Sequence, residues 1–508
     1  MKLIMAELPT KAWVARLILL LIVILCLGCA GQDVDGGLRL GIATDIGGLD
    51  PLASNSSHSA VTLVFDTLIR KDGNAYRPAL ATAWQADAGQ LVWTFTLRSA
   101  VTFSDGTVLD AHSVKFSLDR YCWLRQGKGG LADVIAKTEV LGPTTVRITL
   151  NRPYAPLLDD LCRHSLSVIS PDCVEPPHNI QGVWARVIGS GPFVLMSNKP
   201  RQHAEFSRND VYWGEKARTA KLLLRIIPDE ESRALALEGG QIDMIYANWD
   251  GHGATLTYRR AQSLAQKGYN VITGDSSINK LLVFNTVTGP LRHDAVRSYL
   301  YEVVRGKTSE LVTGLLAPGE GKIATGLFAA GIDWPEGSLP APRRVAKPEQ
   351  MPTKLRFLVC SSEPHDLAVA QLIQAYLAEE NISLFIQQAD RASFWEFVDK
   401  KEYDLTLLAT MGVPYDPWGM LTWGFAGESA AIYYTPELAR QIELLQHTTQ
   451  QQRAEVQTNI NKLLSASYAF VPLYQEINFA VVRPEVIPFT LLPGQAVLLP
   501  WEKMGIKE

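Results

Sequence analysis

The chain has 508 residues, of which 47% are hydrophobic, 20% charged and 9% aromatic. At ~150 residues per domain this gives a prior of about three domains, and the composition excludes wholesale disorder and a coiled coil. Lys and Arg total 48 against 52 Asp and Glu, a net charge of −4, so there is no basic excess to neutralise nucleic-acid phosphates. A mean hydropathy of +0.03 is too low for a multi-span membrane protein.

Lys2, Lys11 and Arg16 make a basic start, diluted by Glu7, ahead of an apolar run from Leu17 to Gly28. A bilayer-spanning helix needs about 20 residues, so this run fits the core of a signal peptide instead. It ends in Leu27-Gly28-Cys29-Ala30, which resembles a bacterial lipoprotein cleavage box. Residues 1–28 are then the expected leader and Cys29 the lipidated first residue. The box departs from the usual pattern in having Cys26, not Leu, three before Cys29. An ordinary cleaved signal is the alternative. Either way the mature chain is expected in the periplasm or cell envelope, tethered at most by lipid.

There are six cysteines. Cys26 and Cys29 belong to the leader. Cys122, Cys162, Cys173 and Cys360 would lie in an oxidising compartment, where disulfides are permitted. Cys162 and Cys173 are close in sequence and form the best candidate pair, though connectivity cannot be read from sequence. No CxxC or paired Cys/His spacing suggests zinc.

The elements alternate along the chain. Leu38–Ala43 reads as a strand, His58–Leu68 as a helix and Leu91–Leu97 as a strand alternating through Trp93, Phe95 and Leu97. Ser104-Asp105-Gly106-Thr107 is a tight turn. Asp110–Tyr121 reads as a helix capped by Asp110 or Ser113, and Thr145–Leu150 as a strand. Then come strand Leu222–Ile227, helix Glu230–Glu238 and strand Ile242–Tyr246. A second block has strand Leu281–Phe284, a helix near Ala295–Val304, strand Leu355–Val359 and helix Asp366–Glu380. Strands Ser383–Gln387 and Leu405–Ala409 follow. Residues 316–353, rich in Gly and Pro, read as a long connection. The last helix is Gln452–Ser467, before Phe470-Val471-Pro472-Leu473 and a strand Ile477–Val482, with the tail returning to the first domain. Strands alternating with helices predict an α/β architecture.

Four ordered motif groups run through the chain. The first is Pro78–Trp84, Trp93–Arg98, Phe103–Gly106 and Val114-Lys115-Phe116. The second is Gly189–Phe193 and Arg208–Gly214. The third is Pro228-Asp229, Arg233–Leu237 and Gly239–Asp243. The fourth is Phe284-Asn285-Thr286, Pro290-Leu291 and Val296-Arg297. With them the chain resembles the large solute-binding proteins of bacterial ABC importers, the dipeptide, oligopeptide and nickel-binding group (family 5), over almost all of residues 38–500. The residues themselves have structural readings. Trp93, Phe95 and Phe103 suit a core. Gly106 and Gly191 suit turns needing positive φ. Arg98, Arg208 and Asp243 suit ion pairs or caps.

The resemblance implies a two-lobe periplasmic-binding-protein fold of type II with an extra subdomain, closing by a hinge. Lobe I would comprise residues 36–276 and 473–508, with the subdomain near 76–186. Lobe II would comprise 277–472. The crossings near Ser276–Asn279 and Val471–Leu473 would form the hinge.

For the solute, the resemblance points to the loop Thr410 to Trp418. Peptide binders usually carry an Asp three residues before its Asp-Pro pair, where it holds the ligand's ammonium. Here that position is Val413, and a buried unpaired ammonium is costly. Pro414-Tyr415-Asp416-Pro417 looks instead like the nickel-binding branch, whose Tyr lines the chelate pocket; a packed loop aromatic is the plain alternative for Tyr415. Arg125 matches an Arg gripping chelator carboxylates, a task suited to a guanidinium fork. His58 falls where that branch has a pocket Met, and imidazole ligates nickel well; a surface or structural histidine is its plain reading. A second pocket Arg falls near Ser165, so that charge is missing or displaced to Arg163 or His164. A pocket Trp falls at Met411, and a direct metal-ligating His near Ser429.

The ligand-binding set is therefore Arg125, Tyr415, His58, Met411, Trp418 and Arg163, with His58 the one candidate metal ligand. The expected function is solute capture for an ABC importer, the solute being a nickel-type chelate or similar small carboxylated molecule. A peptide binder with another ammonium anchor, Asp416 or Glu428, is the alternative within the class. A sensor or chaperone-like lipoprotein is the alternative outside it. No GxSxG, HExxH, GxxxxGK[ST] or GxGxxG after a strand supports an enzyme. No resident cofactor is expected; nickel would come as part of a chelate. The expected partners are the solute, permease and ATPase subunits and a membrane reached through lipid, with no nucleic acid and a monomeric chain.

Overall fold

The computed structural model describes residues 37–507 outside 54–56, 73–74, 128–129, 248–255, 330–331, 333, 336–344, 364, 411–416, 428–430, 449 and 492–498. The leader, with Cys26 and Cys29, lies outside the described residues. So do Met411, Val413, Tyr415, Asp416, Glu428 and Ser429.

Two long strands organise the protein. Asn270–Phe284 and Phe470–Val482 form antiparallel strands at the centre of one 11-stranded sheet. On one side follow Met244–Tyr246, Gly37–Ile42, Lys221–Ile226, His203–Arg208 and Phe193–Lys199. On the other follow Leu405–Ala409, Lys354–Cys360 and Ser383–Ala389, while Gly321–Ile323 pairs with Phe470–Val482. Parallel neighbours such as Gly37–Ile42 with Lys221–Ile226, and Lys354–Cys360 with Ser383–Ala389, need helical crossovers, which the intervening helices supply.

Phe470–Val482 is largely buried on both faces, as is the Asn279–Phe284 part of its neighbour. Leu281 and Val283 enter one core cluster, while Leu282 and Phe284 enter another. Farther along, Phe479 and Val481 pack in a third, and Ala480 and Val482 in the fourth. Successive side chains point to opposite faces, so the four clusters are two faces in each of two lobes. The two halves meet where the ladder is irregular. Asp275 pairs with Ile477 and Asn279 with Gln475, leaving residues 276–278 opposite Glu476.

Two expectations are corrected here. Phe470–Leu473 and Ile477–Val482 are one strand, not two. Pro472 is accommodated because the register shifts between Lys280 and Leu281 beside it. The helix near Ala295–Val304 runs on to Leu315, carried past Gly306 by the burial of Leu311 and Val312.

A separate four-stranded sheet, in the order Ala81–Ala86, Val92–Leu97, Thr145–Leu150, Ile135–Gly142, lies within the first lobe's sequence. The helix Ala111–Arg125 buries Val114 and Leu118 in the same core as Phe95 and Phe103. Asp110 caps it, accepting from the His112 and Ser113 amides at 2.9 and 3.1 Å. The helix expected over His58–Leu68 stops at Val64. The Gly189–Gly191 segment backs onto that end: the Gly191 amide donates to the Val64 carbonyl, and a Cβ at 191 would lie 2.5 Å from the Val64 carbonyl carbon. Gly191 is thus required by close approach and not by positive φ, unlike Gly106 at φ +87°. The C-terminal tail does return, with Trp501 edge-on to Phe193 at 5.8 Å.

The motif charges are structural. Asp243 pairs with Arg39 at 2.7 Å, Arg208 with Asp210 at 2.8 Å, and Arg98 sits 4.5 Å over the Trp213 ring.

Candidate ligand-binding cleft

The cleft is built from the C-terminal turn of the helix Ala111–Arg125, the start of the helix His58–Val64 and the segment 153–166, with the second lobe facing them. Arg120 is buried and reaches Asp50 at 2.9 Å, and Asp50 also accepts from the Leu52 amide at 3.0 Å. This fixes the Leu52 carbonyl, which accepts from Arg125 Nη2 at 3.1 Å. Arg125 is half-buried and has no carboxylate within ion-pair distance among the described residues.

Tyr121 lies between two guanidiniums and a carboxylate. Burial and the nearby Asp160 push its phenol well up, while Arg163 and Arg125 oppose the shift. Asp160 is itself buried, accepting from the Tyr154 hydroxyl at 2.7 Å and from Arg163 Nη1 at 3.1 Å. Burial raises its carboxyl, against the pull of Arg163 and the Tyr154 hydrogen bond. Next along the chain, His164 stacks on His58 with ring centroids 3.9 Å apart and planes 24° from parallel. Burial, with His58 and Arg163 adding, brings His164 down to about 3, so its imidazole is neutral at physiological pH. Ser57 caps the His58 helix, accepting from the Ala60 amide at 3.2 Å, and so fixes where His58 stands.

The second lobe closes on the same segment. Trp418, the first residue of the helix Trp418–Phe425, meets Tyr154 edge-on at 6.3 Å. The Ala155 amide donates to the Gln446 carbonyl at 2.9 Å, and His447 Nδ1 lies 3.3 Å from the Pro153 carbonyl. Deeper in, Asp159 takes Lys71 and, at 2.8 Å, the Tyr76 hydroxyl, which also feels Arg453 of the second lobe.

Of the residues singled out in sequence, His58, Arg125, Arg163 and Trp418 come together here. Met411 and Tyr415 lie outside the described residues. Tyr121, Tyr154 and Asp160 were missed. The one available signal was the three-residue spacing of Asp160 and Arg163, which suits a helical ion pair.

The cysteine pairing is corrected. Cys162 and Cys173 are both free, as are Cys122 and Cys360. Cys173 is buried, with its Sγ donating to the Ile188 carbonyl at 3.2 Å, while Cys162 packs beside Asp159. Burial holds both thiols protonated, Cys173 at about 12. Among the described residues no group of three or more His, Cys, Asp or Glu side chains could hold a metal. No helix of the described residues is long and apolar enough to cross a membrane.

Two lobes joined by crossing strands, with charged and aromatic side chains between them, have the architecture of two-lobe periplasmic binding proteins. Residues 75–299 match the family described as bacterial extracellular solute-binding proteins, family 5, middle region. The chain is 27% identical over 407 residues to the nickel-binding periplasmic protein of Escherichia coli, covering 74% of this chain and 76% of that one. It is 26% identical over 430 residues to the probable D,D-dipeptide-binding periplasmic protein of the same organism, covering 82% of each. NikA from Brucella suis, solved with Fe(III)-EDTA, superposes with a TM-score of 0.83 at 25% identity, over 93% of this chain and all of that one. Over most of its length the chain is thus similar to solute-binding proteins, and its residues 75–299 match the family 5 middle region. Both curated relatives are named as binding proteins and not as enzymes.

Proposed function

We propose that this protein captures a small polycarboxylate, carried as a chelate of a nickel-type metal, between its lobes and delivers it to a membrane permease. The observation that carries this reading is Arg125. Its guanidinium is half-buried at the cleft with a backbone carbonyl as its hydrogen-bond partner, so its charge is left for an incoming carboxylate. Arg163 adds a second cation, and His58 stacked on the neutral His164 adds metal-ligating nitrogen. Asp160, the carboxylate among these groups, is taken by Tyr154 and Arg163 and does not offer itself to a peptide ammonium. Similarity to a nickel-binding protein and to one solved with Fe(III)-EDTA agrees with this chemistry.

Calorimetry with Fe(III)-EDTA as probe tests the assignment. Arg125→Ala should weaken binding more than tenfold, since a hydrogen bond to a charged group contributes about 1.5–3 kcal/mol. Unchanged affinity removes Arg125 from the pocket.

We further propose that Cys29 is the lipidated first residue and that the mature protein is a monomer held at the membrane. Cys29→Ser should then move the protein from the membrane fraction to the soluble one. Retention in the membrane would point to an uncleaved anchor.

A further inference from the structure

A second concentration of charge stands where the two long strands pass between the lobes. Lys280 follows the irregular stretch on one strand, and Glu476 faces that stretch from the other. Lys280 Nζ lies 2.7 Å from Asp366 and 3.5 Å from Glu363, and Glu476 also acts on it. One ammonium is shared among three carboxylates. Lys280 and Asp366 are 5% and 1% exposed, so water compensates little of this crowding. Tyr474, buried beside them on the same strand as Glu476, has a hydroxyl with no hydrogen-bond partner among the described residues.

The cluster continues across the junction. His365 precedes the helix Asp366–Glu379 and lies 3.1 Å from Glu320. Glu320 is fixed by the Ala317 amide at 2.8 Å, in the turn leading to the strand Gly321–Ile323, which pairs with residues 474–476. From the first lobe, Tyr258 and Arg259 of the helix Tyr258–Gln266 face Glu320. Arg391 stands 3.8 Å from Glu363, and Lys322 pairs with Asp275 at 3.0 Å. Bending the strands at residues 275–279 and 475–477 therefore moves ionisable groups contributed by both lobes.

We propose that this junction is a proton-coupled hinge: proton uptake by Asp366, Glu476 and His365 favours the conformer in which the lobes touch. The inference is independent of which solute is carried. Burial raises Glu476 and Asp366, and the hydrogen bond that His365 donates to Glu320 raises His365. Such groups hold protons more tightly here than in a hinge opened to water. The touching conformer therefore gains as pH falls from about 7.5 to about 5.5, and loses that gain on return. Glu320 works the other way. Burial would raise it, but the His365 bond, the Ala317 amide and Arg259 leave it below its ordinary 4.5, so its effect falls at lower pH. Each fully linked proton changes the ratio of the two conformers about tenfold per pH unit between its two pKa values.

Small-angle X-ray scattering of the purified protein without added solute, at pH 5.5 and 7.5, tests this. The radius of gyration should fall on acidification. Glu476→Gln, which mimics the protonated group, should be compact already at pH 7.5. His365→Gln, at a partly exposed position that tolerates exchange, should shrink the pH response at least threefold in the ratio of conformers. Melting curves establish that both variants are folded. A radius unchanged between the two pH values overturns the proposal, as does a full wild-type response in both variants.

Discussion

Around Tyr121 two guanidiniums meet one carboxylate, whereas around Lys280 three carboxylates meet one ammonium. The two regions carry opposite imbalances in one protein. A folded chain rarely leaves buried charge uncompensated, so each imbalance indicates what arrives from outside. At the cleft the missing charge is negative and open to solvent, which suits a ligand. At the junction Arg391 reaches Glu363 from the surface while the Lys280–Asp366 pair is enclosed beside Glu476, which suits a proton.

The largest effect should come from breaking the junction. Lys280→Met leaves Asp366 buried without its cation and should cost about 3–5 kcal/mol, seen as a large fall in melting temperature. Arg125→Ala should leave the melting temperature nearly unchanged while weakening Fe(III)-EDTA more than tenfold. If both substitutions destabilise the fold equally, the contrast between the regions fails. A smaller effect is expected at Asp160→Asn. It keeps an acceptor for Tyr154 but takes one carboxylate away from Arg163, a partly exposed pair worth at most about 1 kcal/mol, so a carboxylate ligand should bind roughly threefold tighter. Weaker binding would mean that Asp160 orders the cleft more than it neutralises it.

The smallest effect concerns His164. Its imidazole is depressed to about 3 by burial, so the unfolded chain takes up the proton first as pH falls below the ordinary 6.5. The stability it contributes is complete above that value and is lost progressively toward pH 3. His164→Phe should flatten the decline in melting temperature between pH 7 and 5. An unaltered decline would place the acid sensitivity elsewhere.

The α/β fold was largely legible because its strands carry clear apolar patterns and its helices carry caps such as Asp110 and Asp229. The continuity of Phe470–Val482 was not, since Pro472 reads as a break and only the register shift of the neighbouring strand accommodates it. Around the candidate cleft, Arg125 and His58 were singled out because they fall at positions of a known pattern, Arg163 because it lies near one, and Trp418 because it ends the loop Thr410 to Trp418. Tyr121 and Tyr154 were not, because their placement depends on packing between segments distant in sequence. The expected crossing at Ser276–Asn279 coincides with an irregular stretch of the strand ladder, but the charge cluster beside it was invisible. Lys280, Glu320, His365 and Glu476 come from four separate elements and share no local pattern. The proposed cysteine pair failed for a related reason, since closeness in sequence says little about where Cys173 is buried.

Native mass spectrometry of the protein purified from rich medium, with metal analysis of the same sample, tests the central claim most directly. The account predicts a bound small polycarboxylate together with a transition metal. A bound peptide without metal would contradict it and would mean that an ammonium, and not a carboxylate, is the group this cleft is built to hold.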